Sequence, residues 1–171
     1  MVRTIAGLML LASTGGAVAQ EIPFSADATE TCLAGQRDPE GRAACIGRSA
    51  AACHQKMTDR TEEDAAACLN AETEWWRGRM QAAYERVETR AALLDVEFAT
   101  AISQGGARMT DDLAAMQAAW KDWSEKRCFF AAVEHRGKPD RTEVASDCVL
   151  HATADQALLL ETAAEKRKGL R

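Results

Sequence analysis

The sequence predicts an all-α protein: a disulfide-stapled antiparallel bundle of about five helices, two of them long and central. Three observations predict it. The 171-residue chain is 47% hydrophobic by count but only 5% aromatic, has 3 prolines, and is rich in alanine and glutamate. That composition favours helix over a β-sandwich or barrel. Its apolar residues recur at steps of three, four and seven, which is how a helix buries one stripe. Its 6 cysteines fall where paired helices would bring them level.

The first element is a leader. Arg3 supplies a positive start, Ile5 to Ala12 is apolar, and Ala17-Val18-Ala19 is a small-residue cleavage site. This pattern predicts a secretory signal peptide, residues 1–19, cut after Ala19. The apolar run is short of the ~20 residues a spanning helix needs, and Gly15 and Gly16 interrupt it. The expectation is a periplasmic or secreted product with no stable membrane insertion after cleavage. Losing Arg3 takes the net charge of −5 one unit further negative. An acidic chain argues against nucleic acid as a partner, since phosphate binding needs a basic face.

A helical hairpin is expected over residues 20–60. One short helix runs from Asp27 to Ala34 and a second from about Glu40 to Lys56, with Pro39 suited to its first turn. The main helical unit, residues 61–171, forms one compact body with the hairpin. Thr61 with Asp64 resembles a capping signal for a long helix from Glu62 to about Ser103. Its stripe is Leu69, Trp76, Met80, Ala83, Val87, Leu94, Phe98 and Ile102. Such a helix is roughly 60 Å long, so a break is expected near Arg90. Gly105-Gly106 ends it. The next helix starts near Thr110, with Asp111 and Asp112 at its positive end. It carries Leu113, Met116, Trp120 and Trp123 as its stripe and continues to Phe130. The last helix is expected from Ser146 to about Lys168, with a basic tail that frays.

The cysteines of an exported chain read as disulfides. Cys32 and Cys45 flank one turn, Cys53 and Cys68 flank another, and Cys128 and Cys148 bracket the polar loop from His135 to Glu143. This geometry predicts the pairs 32–45, 53–68 and 128–148. Zinc sites need close cysteine pairs, and none occurs. A redox C-x-x-C is absent, and Cys53-His54 lacks the first cysteine of a haem-attachment motif. No cofactor or metal is expected.

The three histidines, His54, His135 and His151, sit in no catalytic motif, and the acids lie where helix starts and solvated faces would be. No G-x-S-x-G, H-E-x-x-H or P-loop occurs, so the chain is not read as an enzyme. Trp75 is about 100° around the helix from Trp76, so the two do not point the same way. Trp75 is therefore a candidate partner contact, since exposed tryptophans anchor interfaces. The loop residues His135, Arg136, Lys138 and Asp140 are the other candidates.

Two patches resemble a known family. The first is Cys68-x₃-Glu72-x₃-Trp76-x₃-Met80-x₃-Tyr84. The second is Leu113-x₃-Gln117-x₂-Trp120-x₂-Trp123-x₄-Cys128, followed by Cys148-x₄-Thr153. Together they resemble the LprI-like lysozyme-inhibitor family. The resemblance implies a binding protein that inhibits lysozyme outside the cytoplasm by protein–protein contact. It implies that Glu72, Trp76, Met80, Tyr84, Gln117, Trp120 and Thr153 are the motif core. The alternatives are an envelope assembly factor that binds another periplasmic protein, and a cell-wall hydrolase with unrecognised carboxylates.

Overall fold

The computed structural model describes residues 21–165. The expected leader, residues 1–19, and the basic tail beyond Glu165 lie outside the described residues. Among the described residues there are seven helices and no strand: α1 (Asp27–Ala34), α2 (Pro39–Ala43), α3 (Arg48–Lys56), α4 (Glu62–Glu97), α5 (Ala99–Ser103), α6 (Met109–Glu134) and α7 (Arg141–Glu165). None is long and apolar enough to cross a membrane.

The local sequence sets most of the boundaries. Asp38 accepts a hydrogen bond from the Gly41 amide and Pro39 occupies the first turn of α2. Gly47 then takes φ +84°. This left-handed conformation suits glycine, and it divides the expected 40–56 helix into α2 and α3. Thr61 and Asp64 form a reciprocal capping box at the start of α4. The long helix breaks at Phe98 rather than near Arg90. Leu93, Val96 and the C-cap Phe98 are exposed there and Asp95 alone of the last turn is buried, so little apolar packing holds the axis straight. The helix expected from Ser146 starts five residues earlier, at Arg141.

α4, α6 and α7 form the centre. Asp95 of α4 meets the start of α6, and Met80 meets Gln117 further along it, so these two helices run antiparallel. α6 and α7 are an antiparallel hairpin bridged near its closed end by Cys128–Cys148. α7 runs alongside α4, its principal neighbour. The N-terminal helices cover one end of this pair, with α3 on α4, α1 on α3, and α2 against α7. The other two disulfides are Cys32–Cys45, from α1 to the turn after α2, and Cys53–Cys68, from α3 to α4.

The core is built largely of small residues. One cluster gathers Ile46, Ala50, Cys53, Met57, Cys68, Trp76, Leu150, Ala154 and Ala157, with Trp76 as its one large ring. A second gathers Ala83, Val87, Leu113 and Leu160. Alanine lets α4 and α7 approach closely, but it buries little apolar area per residue.

Candidate functional site

Three buried carboxylates organise the helices. Glu72 has no solvent exposure. Its Oε1 accepts from the Thr29 hydroxyl at 2.9 Å, the Gly47 amide at 3.0 Å and the Trp76 indole at 3.1 Å. Its Oε2 accepts from the Ala50 amide at 2.7 Å. Gly47 has no side chain to cap α3, so Glu72 of α4 does that work from outside. Thr29 and Ser49 exchange amide and hydroxyl hydrogen bonds at 3.0 Å beside it. Asp95 repeats the device at the start of α6, where Arg108 offers no cap. It accepts from the Met109 amide at 2.7 Å, and from the Thr110 amide at 3.2 Å and hydroxyl at 2.6 Å. The Thr110 hydroxyl, then the two amides and Arg108, hold the Asp95 carboxyl below its ordinary value against the opposing effect of burial. Glu161 of α7 pairs with Arg42 at 2.5 Å and Arg79 at 2.8 Å, which ties α2, α4 and α7 together.

The motif residues therefore face inward. Glu72 and Trp76 form the hub just described. Gln117 donates to the Met80 sulfur at 3.7 Å and accepts from Gln156 at 2.9 Å. Tyr84 is half-buried, and burial, then the charge and hydrogen bond of Glu88, raises its phenol above the ordinary value. Thr153 is buried and Trp120 half-buried. With Met80 and Ser124 they line a narrow cleft of about 250 Å³ between α4, α6 and α7. These side chains hold helices together, and the cleft between them is small and largely apolar.

Trp75 is half-buried. It packs edge-on against Trp76, ring centroids 4.8 Å apart, under the guanidinium of Arg79. The exposed tryptophan is Trp123, 54% accessible, with Arg127 over its ring. Met116, Trp123 and Phe130, expected on the buried stripe of their helix, point outward, as Phe98 does on the preceding one. The inward line of α6 is Leu113, Ser124, Cys128 and Ala132, with Gln117 and Trp120 half-buried beside it. The reason is that α6 meets its neighbours along a narrow line, so only one of its two apolar lines is covered.

The loop between α6 and α7 is short, residues 135–140, because Arg141 to Glu143 are already helical. Its His135 ring faces both oxygens of Asp140 at 3.0 Å, and Gly137 takes φ +80°. Arg136, Lys138 and Pro139 are exposed at its tip, while His135 and Asp140 are half-buried. With the Cys128–Cys148 bridge behind it, the loop is a stapled turn that presents two cations.

A second groove, of about 490 Å³, is lined by His54, Glu143, Asp147 and His151 among others. His151 lies 3.7 Å from Asp147, and His54 Nε2 is buried without a hydrogen-bond partner. No three such groups converge as metal ligands among the described residues. Sequence reasoning missed the carboxylate caps and the outward row on α6. The row had a signal, an apolar residue every seventh position from Met109 to Phe130. The caps had none, because a helix-borne acid looks the same whether it meets water or another helix.

Comparison with known proteins bears on these surfaces. The family model described as "Lysozyme inhibitor LprI" matches residues 53–160. An uncharacterised 17.7 kDa protein in the puhA 5′ region of Rhodobacter capsulatus is 43% identical over 137 residues, covering 80% of this chain and 85% of that protein. No solved structure matches.

Proposed function

This chain belongs to the lysozyme inhibitor LprI family, and from that premise we propose that it is an exported binding protein that inhibits lysozyme by protein–protein contact. Cleavage after Ala19 delivers it to the periplasm or the exterior, the space where its three disulfides are stable. It acts by occupation rather than by chemistry.

The observation that carries the reading is the stapled tip at 135–140. Glycosidase clefts hold a pair of carboxylates around the scissile bond. Arg136 and Lys138, exposed on a turn fixed by Cys128–Cys148 and the His135–Asp140 contact, present the complementary charge. A turn already held in one shape loses little conformational freedom on docking. The acidic balance of the whole chain supports approach to an enzyme with a basic surface. Trp75, the other candidate contact, is half-buried beneath Arg79.

The test is lysozyme-driven clearing of a bacterial cell suspension in the presence of the purified chain. The wild type slows clearing. Arg136→Glu with Lys138→Glu weakens inhibition by about tenfold or more, with helical content and thermal midpoint unchanged. Failure to inhibit any type of lysozyme at large molar excess overturns the proposal. Release of soluble fragments from peptidoglycan by the chain alone overturns its non-enzymatic part.

A further inference from the structure

We propose that the cleft between α4, α6 and α7 binds a free aromatic amino acid, with tyrosine preferred. The cleft holds about 250 Å³. An apolar cavity of ~150 Å³ already admits benzene, so this one has room for a ring and its substituents. Trp120 and Met80 line it, and an indole ring and a thioether sulfur both favour an aromatic neighbour. Thr153 and Cys128, each 3% exposed, mark its floor. Arg77, Lys121 and Glu125, all exposed, mark its mouth.

Polar groups at the two ends choose the ligand. Thr153 is buried, yet its hydroxyl has no hydrogen-bond partner among the described residues, and a buried hydroxyl left unpaired is destabilising. A phenol that reaches the floor supplies the partner, since each hydroxyl both donates and accepts. At the mouth, Arg77 is paired with Glu74. Lys121 and Glu125 have no ion-pair partner among the described residues, and they lie one turn apart on α6. One open cation and one open anion at that spacing match the carboxylate and the ammonium of a zwitterion. A simple aromatic acid would set its charge beside Glu125 with nothing to offset it, and an aromatic amine would do the same beside Lys121. Ring, phenol and zwitterion together describe tyrosine. The cleft is a different surface from the 135–140 tip, and the proposal stands independently of the lysozyme reading.

Proton–nitrogen NMR of the indole groups of the full mature chain tests it, by titration with L-tyrosine, L-phenylalanine and end-blocked N-acetyl-tyrosine amide. The Trp120 signal shifts with tyrosine, with a Kd of roughly 1 mM or below for a ligand of this size. Phenylalanine binds about fivefold more weakly, the effect of one hydrogen bond. The end-blocked compound binds about tenfold more weakly, because it carries neither charge. Thr153→Val binds tyrosine and phenylalanine alike. That variant keeps the branched shape and removes only the unpaired hydroxyl, so its thermal midpoint does not fall. Should it nevertheless fail to fold, the wild-type ratio of tyrosine to phenylalanine affinity decides by itself. No shift of the Trp120 signal up to the solubility limit of tyrosine overturns the proposal. So do equal affinities of the wild type for tyrosine and phenylalanine. Undiminished binding of the end-blocked compound also overturns it, since the cleft would then read an aromatic residue within a peptide chain.

Discussion

Glu72 is fully buried, yet its carboxylate oxygens accept from four donors: two backbone amides, a hydroxyl and an indole. A carboxylate suits the place because it only accepts, and it can accept about four times. Glutamine has the same shape but turns one end into a donor. Whichever way the amide lies, its NH₂ meets an N–H or O–H. Glu72→Gln should therefore cost about 2 kcal/mol or more, the penalty of leaving buried donors unpaired. Urea unfolding measures it, and a change below about 0.5 kcal/mol would show that the hub does not hold the hairpin. The resemblance marked Glu72 as a motif residue, but the sequence read it among acids on helix starts and solvated faces, and neither its burial nor its task was legible. That task depends on Gly47 arriving opposite with no cap of its own, and Gly47 is 25 residues away.

At the scale of elements, α4 caps two other helices through side chains of its own. Glu72 caps α3, and Asp95 caps α6. The Asp95 carboxyl titrates below its ordinary value in the folded state. Such a group adds stability above its unfolded pKa, and the contribution is lost as pH falls through the lower folded value. The clasp between α4 and α6 is thus at full strength at neutral pH and fails in acid. Asp95→Asn should remove this dependence, so that below about pH 4 the stability of the variant falls less steeply with acidification than that of the wild type. Parallel slopes would exclude Asp95 as the source. The capping box of Thr61 and the Pro39 start were legible in sequence because both are local. The α2–α3 division and the outward turn of Met116, Trp123 and Phe130 were not. Periodicity marks an apolar line on a helix, but only the neighbours decide which of two lines is covered.

For the whole molecule, the alanine-rich contact between α4 and α7 brings the helices close but supplies limited hydrophobic stabilisation. The three disulfides make up the difference. With sequence separations of 13, 15 and 20, each contributes about 3 kcal/mol by restricting the unfolded chain. Together they rival the ~5–15 kcal/mol that holds a typical domain folded. Full reduction should therefore abolish most helical circular dichroism at 37 °C. A reduced chain that keeps the oxidised thermal midpoint would show that packing alone suffices.

By itself the sequence determined the helical class, the order of the helices, the caps made within a few residues, the cysteine pairs and the acidic balance of the chain. These follow from periodicity, composition and short-range chemistry, which act along the chain. The tertiary structure alone decided that α4 carries the caps of α3 and α6, and that Trp75 is half-covered while Trp123 is open. It also shortened to residues 135–140 the loop that the Cys128–Cys148 pair was expected to staple, and set His135 against Asp140 within it. Each of these depends on which side of a helix meets a neighbour far away in the chain. That choice is made by the balance of packing over the whole bundle and leaves no mark in any one segment.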